Sequence, residues 1–163
     1  MENKTILTLT LKQVKAMYQA EILANAKKRI CNNAIIQLVN LINNDNAVIT
    51  CEVARSNSVL NRGCVVECLI KLWLKNQASA KKYAQNRNDI TLDGVGYEIK
   101  YTNSVAYASM SDKQRRAYDN KEYKPLILVD SNGVYLSNTK HYMFAKSGKI
   151  VGVDKVFKTL VEW

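Results

Sequence analysis

Asp89, Glu98 and Lys100 are the side chains in this chain whose types and spacing point most directly to chemistry. They stand in the stretch Asn88 to Tyr101, N-D-I-T-L-D-G-V-G-Y-E-I-K-Y. Two carboxylates held a few ångströms apart repel each other, and a divalent cation relieves the repulsion. A lysine two residues beyond the second carboxylate can hold an attacking water or a phosphate oxygen. The plainer reading of the same residues is a surface hairpin carrying an acid–base ladder.

The stretch itself supplies the scaffold for such a site. Asp93-Gly94 is a hairpin signal, because Gly accepts positive φ without steric cost and Asp tolerates it. Period-two alternation sets Glu98 and Lys100 on one face of the second strand. A two-residue loop at 93–94 puts Asp89 opposite Glu98. A four-residue loop at 93–96 puts Asp89 opposite Lys100 and Thr91 opposite Glu98. In both registers Asp89, Glu98 and Lys100 share one face, Ile90, Leu92, Tyr97 and Ile99 share the other, and Asp93 falls in the turn.

D-x8-E-x-K across a hairpin resembles the core motif of the PD-(D/E)XK nuclease superfamily. Asn88-Asp89 stands where that family usually has Pro-Asp, and Glu98-Ile99-Lys100 matches E-x-K in full. Two further features follow the family's order. Arg62-Gly63-x-x-x-Glu67 resembles the helix that carries a glutamate ahead of the hairpin, although Glu67 also has Lys71 four residues on, as in an ordinary helix ion pair. Gln114-Arg115-Arg116-Ala117-Tyr118 resembles the Q-x-x-x-Y of the RecB-like and lambda-exonuclease-like branches. The resemblance implies Mg²⁺ or Mn²⁺ held by Asp89, Glu98, the Ile99 carbonyl and Glu67. It implies that Lys100 assists the nucleophile, and that Gln114 and Tyr118 position the substrate.

Composition agrees with a polyanionic partner. The 163 residues carry 24 Lys and Arg against 14 Asp and Glu, a formal charge of +10, and such a surface attracts nucleic acid. Arg115 and Arg116 have the fork geometry that fits phosphate, and Lys81 and Lys82 lie in a polar, basic stretch that can meet a phosphate backbone. DNA is expected ahead of RNA. No apolar run approaches membrane-spanning length, and the N-terminus lacks a signal-peptide core, so a soluble cytoplasmic protein without membrane contact is expected. A homodimer is compatible with the resemblance.

Cys64 and Cys68 are four apart in a helical pattern, and Cys31 and Cys51 stand elsewhere. The only histidine, His141, is remote. A zinc site asks for more ligands at closer spacing, so free buried thiols are expected.

The elements that must position these residues read as an α/β fold over one domain, 1–163, with a helical N-terminal segment (1–46) and a catalytic core (56–163). Thr10 caps a helix starting at Leu11. The apolar stripe Leu11, Val14, Tyr18, Ile22, then Ile30, Ala34, Leu38 and Leu41 runs to Ile42, with a break near residues 24–28. Lys4 to Thr10 reads as a strand or a helix lead-in, and Val48 to Val53 as a strand. Val59 to Lys75 is a helix with Val59, Val66, Leu69, Ile70 and Trp73 inward. Ser111 to Asn120 is a short helix. Pro125 to Asp130 is a buried central strand, Val134 to Ser137 returns after a turn, and Asp154 caps a last helix from Lys155 to Glu162. The resulting α-β-β-α-β order is that of a restriction-endonuclease-like core, a mixed central sheet flanked by helices. Three functions are compatible with the chain: a metal-dependent nuclease, a nucleic-acid-binding protein on the same fold with weak or no catalysis, and a basic protein-interaction module.

Overall fold

A computed structural model describes residues 5–53, 62–74, 90–92, 94–101, 126–137, 143–144, 150–151 and 157–163. The chain is α/β, with three helices and mixed sheets among the described residues. It divides into two compact units, residues 1–75 and 76–163.

The first unit runs β1 (Thr5–Thr10), α1 (Leu11–Ala24), α2 (Lys28–Ile42), β2 (Val48–Val53) and α3 (Arg62–Trp73). Strand β1 is one of the two readings the sequence allowed for residues 4–10. Its T-I-L-T-L-T composition suits a pleated surface, and it pairs antiparallel with β2 from Thr5↔Val53 to Thr10↔Val48. The change from strand to helix is abrupt because every early amide of α1 finds an acceptor. Thr10 Oγ1 accepts from Gln13 N at 3.2 Å, and Gln13 Oε1 accepts from Thr10 N at 2.9 Å, a capping box. Leu11 N donates to the Ala47 carbonyl at 2.8 Å, and Lys12 N to that of Asp45 at 3.3 Å, which ties the helix start to the approach of β2.

The expected break between the first two helices is real. Asn25 ends α1 with its N–H on the Glu21 carbonyl, and its Oδ1 accepts from Lys27 N. Asn43 ends α2 in the left-handed region at φ 52°, a conformation Asn tolerates better than most residues. Leu11, Val14 and Tyr18 are buried on α1 as expected. On α2 the inward stripe is rotated from the expected one. Asn32, Ala34, Ile35, Leu38 and Val39 are buried, whereas Ile30 is 64% exposed and Leu41 faces solvent. The rotation follows from Asn32. It is completely buried, donates Nδ2 to the Tyr18 carbonyl at 3.3 Å and accepts from Arg62 Nε at 2.8 Å. Arg62 also pairs with Glu21. One guanidinium thus links the start of α3 to α2 and α1. Val65, Val66, Leu69 and Ile70 form the buried side of α3.

The second unit holds a five-stranded sheet in the order β3-β4-β5-β6-β9, where β3 is Ile90–Leu92, β4 Val95–Tyr101, β5 Leu126–Val129, β6 Gly133–Ser137 and β9 Phe157–Glu162. Strands β7 (Met143–Phe144) and β8 (Ile150–Val151) form a separate two-stranded pair. Strand β5 is buried along its whole length, as its apolar run predicts. It is parallel to β4 and antiparallel to β6. Strand β9 corrects the expected C-terminal helix. F-K-T-L-V-E contains Thr, Val and Phe, which suit strands, and it pairs antiparallel with β6 across a bulge at Val134/Tyr135. Trp163 then donates Nε1 to the Ser131 carbonyl at 2.8 Å and its N–H to that of Asn132 at 3.1 Å, so the β5–β6 turn holds the end of β9. The expected helix at 111–120 lies outside the described residues.

Two glycines separate backbone strain from steric contact. Gly94 has φ 80°, and no atom lies within 4 Å of where a Cβ would stand. A Cβ on Gly133 would fall 2.2 Å from the Val161 carbonyl oxygen of β9. Gly94→Ala is expected to cost about 1–2 kcal/mol, the penalty of a left-handed L-residue. Gly133→Ala is expected to cost more, because β9 must move off β6. Thermal denaturation of the two variants checks the ranking, and equal losses would contradict it.

Candidate active site

The β3–β4 hairpin resolves the register. Ile90 pairs with Tyr97, Thr91 with Gly96 and Leu92 with Val95, so the loop is the two-residue Asp93-Gly94. The four-residue alternative does not occur. Alternation along β4 then places Gly96, Glu98 and Lys100 on one face and Tyr97, Ile99 and Tyr101 on the other. Ile99 is buried, and Glu98 and Lys100 are half-buried. Their Cα atoms are about 6.6 Å apart along the strand, two residues of rise.

The parallel pairing of β4 with β5 fixes what lies beside them. Glu98 is level with Leu126 and Lys100 with Leu128, and both leucines are fully buried. The carboxylate and the ammonium therefore border an apolar strip. Partial desolvation there makes each charge interact more strongly than it would in open solvent.

The remaining expected residues are distributed as follows. Glu67 belongs to the first unit, on α3, where its Oε1 accepts from Lys71 Nζ at 2.9 Å. That is the helix ion pair the spacing allowed. Asp89, Asp93, Lys81, Lys82, Gln114, Arg115, Arg116 and Tyr118 lie outside the described residues. The structure thus brings together Glu98, Lys100 and the backbone of Ile99 on one strand.

Two further groups stand out, one that the sequence does not single out and one whose spacing in the sequence reads as free thiols. The first is Asp130, just after β5 and 6% exposed. Its Oδ1 accepts from Asn132 N at 2.7 Å and Gly133 N at 3.1 Å, while its own N–H donates to the Gly133 carbonyl. These bonds build the β5–β6 turn, an Asx turn. Burial, then the charges of Asp130 and Glu162, push the Tyr135 hydroxyl up, so it stays protonated at neutral pH. The D-S-N-G sequence after an apolar run was the available signal for the turn.

The second group is sulfur. Cys51 on β2 and Cys64 and Cys68 on α3 have Sγ atoms all within 4.8 Å of one another. Spacing alone gave Cys64 and Cys68, and the inward parity of Cys51 with Ile49 on β2 was the signal for the third. Hydrogen bonding with Cys64 and Cys68, then burial, pushes the Cys51 thiol up.

Comparison with known proteins adds no relative: no family model, no curated protein and no solved structure matches the chain. Among the described residues no helix is long and apolar enough to cross a membrane.

Asp130 is expected to act in folding and not in chemistry. Asp130→Ala removes an acceptor oxygen and the two hydrogen bonds it receives and is expected to cost about 2–3 kcal/mol, while Asp130→Asn, which keeps an acceptor oxygen, loses less than half as much. Chemical denaturation measures both, and an Asp130→Ala variant as stable as the parent would show that the turn does not depend on the carboxylate.

Proposed function

We propose that the protein is a metal-dependent nuclease that hydrolyses phosphodiester bonds, with DNA ahead of RNA as substrate, on a restriction-endonuclease-like core. The observation that carries this reading is the hairpin register. A two-residue loop pairs Ile90 with Tyr97, the register for which strand alternation predicts Asp89 opposite Glu98. Lys100 stands two residues on, along the same face. The topology is compatible with it too: a hairpin is followed by a buried strand parallel to its second arm, as in the core that the motif suggests. A formal charge of +10 suits a phosphate backbone.

In this reading Asp89, Glu98 and the Ile99 carbonyl hold Mg²⁺ or Mn²⁺, while Glu67, which the resemblance adds to this set, pairs with Lys71 on α3. Oxygen donors of this kind fit a hard cation. A bound cation would supply charge neutralisation on the scissile phosphate. The chain's own contributions are distinct from that. Lys100 places an ammonium beside the Glu98 carboxylate, where it orients a water or meets the charge that develops on phosphate oxygens. Gln114 and Tyr118 position the substrate, and Arg115, Arg116, Lys81 and Lys82 bind its phosphates.

The test is incubation with a panel of labelled nucleic acids in Mg²⁺, Mn²⁺ or chelator. Cleavage is expected only with the metal, and is expected to fall at least about 100-fold, some 2.7 kcal/mol of barrier, in Asp89→Asn, Glu98→Gln and Lys100→Ala. Asp93→Asn is the control and keeps most activity, because Asn also suits a tight turn. An inactive Asp93→Asn beside an active Asp89→Asn would move the ligand to Asp93. Equal activity in all four would remove the nuclease assignment.

Binding gives an independent measurement. Affinity for nucleic acid is expected to drop steeply with salt, since each neutralised phosphate releases a counterion. An affinity flat between low and moderate salt would favour a protein partner over a polyanion.

A further inference from the structure

We infer that Cys51, Cys64 and Cys68 form a binding site for a thiophilic cation of the zinc class, separate in residues and in ligand chemistry from the proposed nuclease centre. Three sulfur atoms converge from two elements. Cys64 and Cys68 stand one helical turn apart on α3, so both project from one face of it. Cys51 comes from β2, where alternation turns it inward with Ile49. All three Sγ atoms lie within 4.8 Å of one another, and Cys51 and Cys68 are 3.4 Å apart.

That spacing is close to what a metal requires. Four-coordinate zinc with bonds of about 2.3 Å sets its sulfur ligands about 3.8 Å apart. The observed sulfurs reach that spacing through adjustments of about 1 Å or less, within the reach of side-chain rotation and small backbone shifts. No second disulfide partner is needed for Cys64, and no oxidant enters. The alternative, a Cys51–Cys68 disulfide, would use two sulfurs and leave the third without a purpose for its position.

The donor set selects the ion. Thiolates are soft ligands that favour Zn²⁺ and Cu⁺ over Mg²⁺ and Mn²⁺, so the cations of the two centres do not compete. On binding, each of the three thiols gives its proton to solvent and each sulfur forms one bond to the metal, with no change of oxidation state. Three protein ligands leave a position for water or an external ligand, as in zinc sites that are not closed by the protein. The positive end of α3 lies at Arg62, two residues before Cys64, and partly offsets the negative charge of three thiolates. The site would staple β2 to α3 across the connection 54–61 and stabilise the first unit by mass action.

Titration of the reduced, metal-free protein with Zn²⁺, and with Cd²⁺ as an ultraviolet charge-transfer probe, tests the site without nucleic acid. One equivalent is expected to bind, with a sulfur-to-metal band, proton release and a rise in Tm. X-ray absorption of the zinc-loaded parent protein is expected to count three sulfur ligands, which needs no variant to fold. Cys51→Ser, Cys64→Ser and Cys68→Ser should each weaken binding by more than the roughly 10–100-fold that loss of an outer partner costs. Cys31→Ser, outside the cluster, should leave binding unchanged. Cu⁺ titrated in competition with Zn²⁺ separates the two ions, and displacement of one by the other at the same three sulfurs upholds the site. Fewer than three sulfurs on the metal, binding that depends on Cys31, or no binding by the reduced protein would overturn it. Loss of nuclease activity has no bearing on any of these readouts.

Discussion

The second unit depends on the burial of β5. Every side chain from Leu126 to Val129 is buried, which is attainable only if the strand has a neighbour on each side and cover on both faces. Strand β4 supplies one neighbour, in parallel, and β6 the other, in antiparallel fashion. The parallel choice orders Glu98 and Lys100 along Leu126 and Leu128. An antiparallel β4 would reverse that order and move the carboxylate and the ammonium to different neighbours. The turn after β5 is held as firmly as the strand. Asp130 binds two amides there, and Trp163 caps two carbonyls from the far side.

Much of this was legible in the residues because the signals were local. The Thr10 cap, the break near Asn25, the helix end at Ile42 and the turn at Gly94 each set their own backbone, and the structure shows each where it was expected. The apolar run at 126–129 was legible for the same reason: its short length and the S-N-G turn signal after it are those of a buried strand. The candidate site was legible in part. Alternation put Glu98 and Lys100 on one face, while the loop length that sets the register of β3 on β4 could not be chosen from D-G-V-G alone.

What failed to show in the sequence came from contacts between distant segments. Residues 157–162 carry a pattern compatible with a helix, and the free edge of β6 made them a strand. The inward face of α2 is set by a polar residue, Asn32, because Arg62 and the Tyr18 carbonyl satisfy its amide. A rule that sends apolar side chains inward cannot find that face, and it leaves Ile30 in solvent. Buried polar groups are tolerated only when they are bonded, and here the partner lies thirty residues away. The cysteine cluster is hidden for the same reason: Cys51 joins Cys64 and Cys68 only once β2 has packed on α3.

The parallel pairing of β4 with β5 also sets the order in which the second unit can form. A hairpin closed by two residues needs almost no chain to be brought together, so β3 and β4 meet early, on the microsecond scale of such hairpins. Their union with β5 must close the connection over residues 102–125, and non-local parallel contacts of that kind are slow to form. The strip carrying Glu98 and Lys100 therefore exists, for a time, with the β5-facing edge of β4 unpaired and its apolar neighbours absent. In that interval the unpaired edge is open to pairing with another copy of the chain, and the arrival of Leu126–Val129 closes it.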